Sequence, residues 1–234
     1  MAVTAIVQAR TDSTRLPGKV LREVGGKPVL AYLLERLEHA TLIDDIVVAT
    51  SDDPSDDDLT AFCRTTEVDC HRGSFGDVAG RILGAARARK LDAFVRVSGD
   101  SPLLDQSLVD RAVALLRDSD SELATNVYTR TYPRGQSVEA FRTDAFARGY
   151  EAMEDDVDLE HVTPFFYRHE SDFRIASFEH DPNLGDLRLV VDTQDDLDAF
   201  TQIVSAMDRP HWDHSLEDVV GLAHTLRPNE HQPD

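Results

Sequence analysis

Near the start of the chain, Gln8-Ala9-Arg10-Thr11-Asp12-Ser13-Thr14-Arg15-Leu16-Pro17-Gly18-Lys19 puts two arginines, a lysine and several hydroxyls into one loop. Arg10 and Arg15 can make forked contacts to phosphate oxygens, Lys19 supplies a point charge, and Ser13 and Thr14 offer hydroxyl and amide donors. The expected chemistry is the grip of a polyanion, above all a nucleoside triphosphate. No G-x-x-x-x-G-K-[S/T] is present and Gly18-Lys19 runs into Val20, so the loop is not a P-loop. Its side-chain cations must therefore do what backbone amides do in that motif, and Pro17-Gly18 is placed to turn Lys19 back toward the loop. The bland alternative is a surface loop whose cations pair with the protein's own carboxylates.

The chain as a whole makes this loop an anomaly. Its 234 residues include 24 Lys and Arg against 44 Asp and Glu, a net charge of -20, and its lysines are Lys19, Lys27 and Lys90. Residues 9–27 nevertheless carry Arg10, Arg15, Lys19, Arg22 and Lys27 against Asp12 and Glu23, a local +3 that leaves -23 for the rest. An acidic surface of this kind repels nucleic acid and anionic membrane, which argues against both as partners. Lysine-poor acidity is also what a halophilic protein carries, because concentrated salt screens the self-repulsion.

Two aspartates lie where a metal would be wanted. Asp100 follows the strand-like run that ends at Val97, in Ser98-Gly99-Asp100-Ser101-Pro102, and Asp192 ends the strand-like run Leu187 to Val191. Carboxylates at the carboxyl ends of parallel strands sit where such sheets bind ligands. Two of them, with triphosphate oxygens, could converge on one Mg²⁺. The alternative is that each caps a helix, Asp192 especially, since Thr193 and a helical pattern follow. Arg134 offers a cation for an anionic second substrate, and Glu139 or His161 a base for the hydroxyl of such an acceptor, with Glu160 beside them. Glu139 also reads as an outward strand residue between Val138 and Ala140, and His161 as an ordinary helix histidine.

The segment from Gln8 to Lys19 closely resembles the signature of the cytidylyltransferases that activate acidic sugars, such as the 3-deoxy-manno-octulosonate and acylneuraminate enzymes, and most closely the spore-coat polysaccharide biosynthesis branch. The likeness continues in order through Arg72-Gly73-Ser74 with Asp77, Ser98 to Pro102, Thr131 to Gly135, Glu160 to Pro164, and Leu189 to Thr193. It implies transfer of CMP from CTP to a small anionic acceptor in surface-glycan precursor synthesis, with Lys19, Arg10 and Asp100 catalytic. It further implies Arg72 and Ser74 beside the nucleotide, Asp100 and Asp192 on the metal, and a homodimer built partly from residues 125–167. Phe75-Gly76 departs from the family's more acidic version of that loop, and Gln136 stands where relatives often carry other residues.

Positioning these residues falls to alternating strand and helix patterns. Val3 to Val7, Ile46 to Ala49 and Phe94 to Val97 read as buried strands, and Val29 to Leu37, Asp56 to Arg64, Val78 to Arg89 and Leu108 to Leu116 as helices. The expected fold is α/β, a mostly parallel, doubly wound, Rossmann-like sheet, and the resemblance implies its nucleotide-diphospho-sugar transferase form. Strand patterns at Leu123 to Val127, Ser137 to Phe141 and Phe173 to Phe178, with helices at Thr143 to Met153 and Leu159 to Tyr167, mark 123–180 as a small β-rich extension, a lid or dimer contact. A helix from Thr193 to Ala206 follows. Residues 1–226 read as one domain and 227–234 as a frayed tail.

No stretch approaches about 18 apolar residues and no leader is evident, so a cytoplasmic protein is expected. Cys63 and Cys70 read as buried small residues, and the acidic run Ser51 to Asp58 as a solvated helix start rather than a metal site. Two rivals remain. A glycosyltransferase using a nucleotide sugar would usually bring a D-x-D pair, of which Ser98-Gly99-Asp100 has one member. A catalytically silent nucleotide binder would be expected to have lost Lys19, Asp100 or Asp192.

Overall fold

The computed structural model describes residues 2–226, so the expected tail at 227–234 lies outside the described residues. Strand β1 (Val3–Gln8) is followed by an antiparallel pair, β2 (Glu23–Val24) and β3 (Lys27–Pro28), and by helix α1 (Val29–Leu37). Then alternate β4 (Asp45–Ser51), α2 (Asp57–Thr65), β5 (Asp69–Gly73), α3 (Val78–Ala88), β6 (Ala93–Ser98) and α4 (Gln106–Asp118). The remainder adds β7 (Leu123–Thr125), β8 (Glu139–Arg142), α5 (Thr143–Ala152), α6 (Asp156–His161), α7 (Thr163–Arg168), β9 (Ile175–Ser177), α8 (Gln194–Ser205) and α9 (Leu216–Leu226).

Seven strands form one sheet in the order β5-β4-β1-β6-β8-β7-β9, with β8 antiparallel to both neighbours and the other pairings parallel. The mostly parallel α/β sheet expected from the alternation is thus present. Its central strand β1 is buried on both faces because helices cover both, whereas the edge strand β5 is polar and has no buried residue. Along β1, Ala5 and Val7 pack with Leu30 and Leu33 of α1 and Val109 and Val113 of α4, whereas Ile6 packs with Ile82, Phe94, Phe141 and Phe166 on the other side. That is the two-residue alternation of a strand. Gln8 pairs in register with Ala49 and Ser98, so β1, β4 and β6 end together at one edge.

The region 123–180 is continuous with this sheet, supplying β8, β7 and β9 as its outer strands together with α5, α6 and α7. Two local expectations are corrected. The helix drawn from Leu159 to Tyr167 is broken at Val162 (φ 65°, ψ -76°) into α6 and α7. Pro164 has no amide to continue the ladder and starts a new helix instead. The strand expected over Leu187 to Val191 is a single parallel bridge between Arg134 and Arg188. Its would-be partner turns away at Gly135 (φ 97°), where a Cβ would lie 2.6 Å from the Leu189 carbonyl carbon, so the ladder cannot extend. The segment is still anchored, since the Leu189 amide donates to the Arg134 carbonyl at 2.7 Å and the Val191 amide to that of Asp100 at 2.8 Å. Helix α9 has no counterpart in the sequence expectations.

Candidate active site

The common edge where β1, β4 and β6 end is roofed by the loop 9–18, and the loop is fastened from below. The Gly18 amide donates to the Thr11 carbonyl at 2.8 Å, closing the loop on itself. The Thr11 amide and hydroxyl donate to Asp56 Oδ1 at 2.7 and 2.8 Å. Asp56 also accepts from the amide and hydroxyl of Ser51 at the end of β4. Burial pushes its carboxyl up, but these hydrogen bonds from Ser51 and Thr11 outweigh it and hold the group below the usual carboxylate range. The acidic run is therefore not wholly solvated. Asp57 and Asp58 open α2 as expected, while Asp56 is fully buried and is the loop's anchor.

Lys19 stands at the start of a single 3₁₀ turn and is buried. Its Nζ donates to Asp100 Oδ2 at 2.6 Å and to Asp192 Oδ1 at 2.7 Å. Arg15 pairs with the second oxygen of Asp192. Asp192 is not the cap of α8, a role taken by Thr193, whose hydroxyl accepts from the Asp196 amide while the Asp196 carboxylate accepts from the Thr193 amide. Asp100 and Asp192, far apart in sequence, thus share one cationic position. Among the described residues no group of three or more His, Cys, Asp or Glu is arranged to hold a metal. Two converging carboxylates fit a hard divalent cation that draws its other ligands from phosphate and water.

A cleft of about 360 Å³ opens above these groups, lined by Gln8, Arg10, Ser13, Thr14, Arg15, Lys19, Arg81, Ser98, Asp100, Glu160, His161 and Asp192 among others. Arg10 crosses it, pairing with Glu160 at 2.9 Å, and its guanidinium lies 5.5 Å from the centre of the Phe75 ring. Glu160 and His161, expected with the acceptor, therefore stand in this cleft opposite Arg10. A second cleft of about 380 Å³ adjoins it and shares Ser98, Asp100 and Asp192. Its remaining lining includes Ser101, Arg130, Arg134, Ser137 and Arg188, so Arg134 is separated from Glu160 and His161.

Three expected site residues are used elsewhere. Arg72 spends its guanidinium on the Ser51 carbonyl (2.8 Å), Asp57 (2.8 Å) and the Asp53 carbonyl (2.9 Å), bracing the segment that carries Asp56 rather than reaching the cleft. Ser74 is exposed and offers its carbonyl to Arg81 at 2.8 Å. Glu139 is buried, paired with Arg96 and hydrogen-bonded to the Tyr167 hydroxyl at 3.2 Å, and it lines neither cleft. Burial, then Glu139, drive the Tyr167 hydroxyl well above its ordinary value, so it stays a donor.

Arg81, Arg130 and Arg188 are the residues sequence reasoning passed over. Arg81, 3% exposed, runs beneath the loop of Phe75, with Nη1 donating to the carbonyls of Ser74 and Phe75 at 2.8 and 2.9 Å and Nε left without a partner among the described residues. Burial lowers its pKa from the ordinary arginine value. Gly73 makes room for it, since a Cβ there would lie 2.9 Å from Arg81 Cγ. That contact, invisible locally, gives the glycine of Arg72-Gly73-Ser74 a steric reason.

A family model described as cytidylyltransferase matches residues 4–217. The spore coat polysaccharide biosynthesis protein SpsF of Bacillus subtilis is 31% identical over 224 residues, 93% of this chain and 92% of that protein. Among solved structures, a cytidylyltransferase from Leptospira borgpetersenii superposes with a TM-score of 0.92 at 28% identity, each chain covered in full. CMP:2-keto-3-deoxy-manno-octonic acid synthetase complexed with CTP superposes with a TM-score of 0.68 at 18% identity, covering 88% of this chain and 99% of that one, a likeness of fold.

Proposed function

The chain belongs to the cytidylyltransferase family, and on that premise we propose that it transfers CMP from CTP to a small anionic, sugar-type acceptor in the synthesis of a surface-glycan precursor. The observation that carries this reading is the sharing of Ser98, Asp100 and Asp192 by two adjoining clefts, one rich in phosphate-binding groups and one lined by arginines. A nucleotide in the first and an acceptor in the second would meet at those three residues.

In this reading Arg10, Arg15 and Lys19 hold the triphosphate, aided by donors from Ser13 and Thr14. Arg10 leaves Glu160 and Lys19 leaves the two aspartates as phosphate oxygens arrive. Asp100 and Asp192 would then hold a divalent cation, Mg²⁺ by preference, which supplies charge neutralisation at the phosphates. An acceptor hydroxyl attacks the α-phosphorus, the new O–P bond forming as the bond to pyrophosphate breaks, and the hydroxyl proton is lost to a base. Glu160 and His161 line the nucleotide cleft together with Asp12, Asp100 and Asp192, so a base for that proton would come from its wall, and Lys19 remains to stabilise charge on the departing pyrophosphate. Glu139 is not assigned as base, because its carboxylate is committed to Arg96.

The reading also takes the enzyme as a cytoplasmic homodimer with residues 125–167 in the contact, which light scattering of the wild-type protein tests. No helix among the described residues is long and apolar enough to cross a membrane. The deciding experiment measures pyrophosphate release with CTP, ATP, GTP or UTP, Mg²⁺ and a panel of anionic acceptors. Release is expected with CTP in preference to the others, and no release with any pair would sink the transfer.

A further inference from the structure

The acceptor-side cleft is lined by Arg130, Arg134 and Arg188, three guanidiniums in a chain of net charge -20. Arg134 and Arg188 are partners in a parallel bridge, which sends their side chains out side by side on one face. Like charges so placed repel and cost stability unless something neutralises them. Arg188 has a neutralising partner, Asp196 at 3.0 Å. Arg130 has only the Ser137 hydroxyl at 3.4 Å, and Arg134 has no ion pair among the described residues. The carboxylates of the same cleft do not help, because Asp100 and Asp192 are already matched by Lys19 and Arg15. The charges of Arg130 and Arg134 are left over, beside the point where transfer would occur.

We propose that the acceptor is a dianion, a phosphomonoester of a small sugar or polyol, whose phosphate is held by Arg130 and Arg134 with Arg188 at its flank. A single carboxylate is satisfied by one forked guanidinium and would leave a second positive charge facing the first. A phosphomonoester carries about -1.5 to -2 charges and three acceptor oxygens, which matches the unbalanced charge and gives each fork an oxygen to bind. The proposal rests on the CMP-transfer reading for its setting, and its test can fail separately.

Titration calorimetry with glycerol phosphate and with glycerate, probes of similar size that differ in charge, reads the cleft without turnover. Glycerol phosphate is expected to bind at least about tenfold more tightly, and the Arg130→Gln/Arg134→Gln double variant to lose that preference, with its CTP affinity reporting that the nucleotide cleft is intact. Equal binding of the two probes, or a preference that survives in the variant, overturns the proposal. Pyrophosphate release then separates the readings. Release with phosphomonoester acceptors supports both, and release with monocarboxylates alone keeps CMP transfer while overturning the dianion. No release with any acceptor, where the calorimetric preference holds, keeps the dianion site and sinks the transfer.

Discussion

Asp100 and Asp192 aim at one shared position, which the Lys19 ammonium fills at 2.6 Å from the first and 2.7 Å from the second. If the two aspartates hold the metal as proposed, lysine and divalent cation would compete for the same oxygens until a triphosphate draws the lysine away. Replacing Lys19 by Met should move two affinities in opposite directions. Mn²⁺ binding in the absence of nucleotide should tighten by about tenfold or more, because a positive charge within roughly 4 Å of the ion is removed. CTP binding should weaken by at least as much. Paramagnetic titration of free Mn²⁺ and equilibrium binding of CTP measure the two, and a fall in both affinities would mean that the lysine and the metal do not share a site.

The loop that carries these cations hangs on Asp56, so that residue links stability to nucleotide affinity. An asparagine there keeps one acceptor oxygen but turns an amide N–H toward donors from Thr11 or Ser51. Asp56→Asn is expected to cost about 2 kcal/mol of stability and to raise the KM for CTP, read by denaturant unfolding and steady-state kinetics. The pH dependence has a definite sign. The folded-state pKa lies below the carboxylate's ordinary 3.8, so the contribution is complete above that value and is lost as pH falls through the lower folded one. Wild type and Asp56→Asn should converge in stability only in that acid range.

What the sequence made legible followed from local pattern. The helix Val29–Leu37 and the strand cores of β1, β4 and β6 carry their periodicity within a few residues. Lys19 stands out because a cation-rich loop is unusual in so acidic a chain, whereas Asp100 and Asp192, two carboxylates among 44, stand out by following strand-like runs and by the family resemblance. Arg81 was not, because one arginine in a helical pattern reads as a solvent-facing residue. The approach of Gly73 from β5 and the Ser74–Phe75 carbonyls over its guanidinium bury it. The resemblance points Arg72, and residue type points Glu139, to the site, yet their partners Asp57 and Arg96, 15 and 43 residues away, have an equal claim on them. Pro164, which cannot continue a helical ladder, marks the break at Val162 in the sequence itself.

Salt should act on this protein in two opposed ways. Exposed pairs such as Arg209 with Asp218 are screened and weakened, but each such pair contributes little. The self-repulsion of a -20 chain is distributed over the whole surface and is relieved together. The net expectation is a gain in stability from dilute to molar KCl, with the unfolding midpoint rising by several degrees in a thermal scan. A flat or falling midpoint would show that local pairing outweighs the net charge.

Arg81 tests how far the nucleotide cleft depends on a residue beneath it. Its Nη1 holds the carbonyls of Ser74 and Phe75, and the Phe75 ring in turn lies against the Arg10 guanidinium. Lysine at this position keeps a positive charge but loses the planar fork, and its short reach serves one carbonyl at best. Arg81→Lys is therefore expected to loosen the Phe75 loop and with it Arg10, raising the KM for CTP about tenfold while kcat falls less. Arg81→Met removes the charge as well and should cost more in both. If the unpartnered Nε of Arg81 itself contacts the nucleotide, Arg81→Lys and Arg10→Ala will be additive in CTP binding. If Arg81 acts only through Arg10, the double variant will be no weaker than Arg10→Ala alone, and a double-mutant cycle on CTP affinity decides between the two.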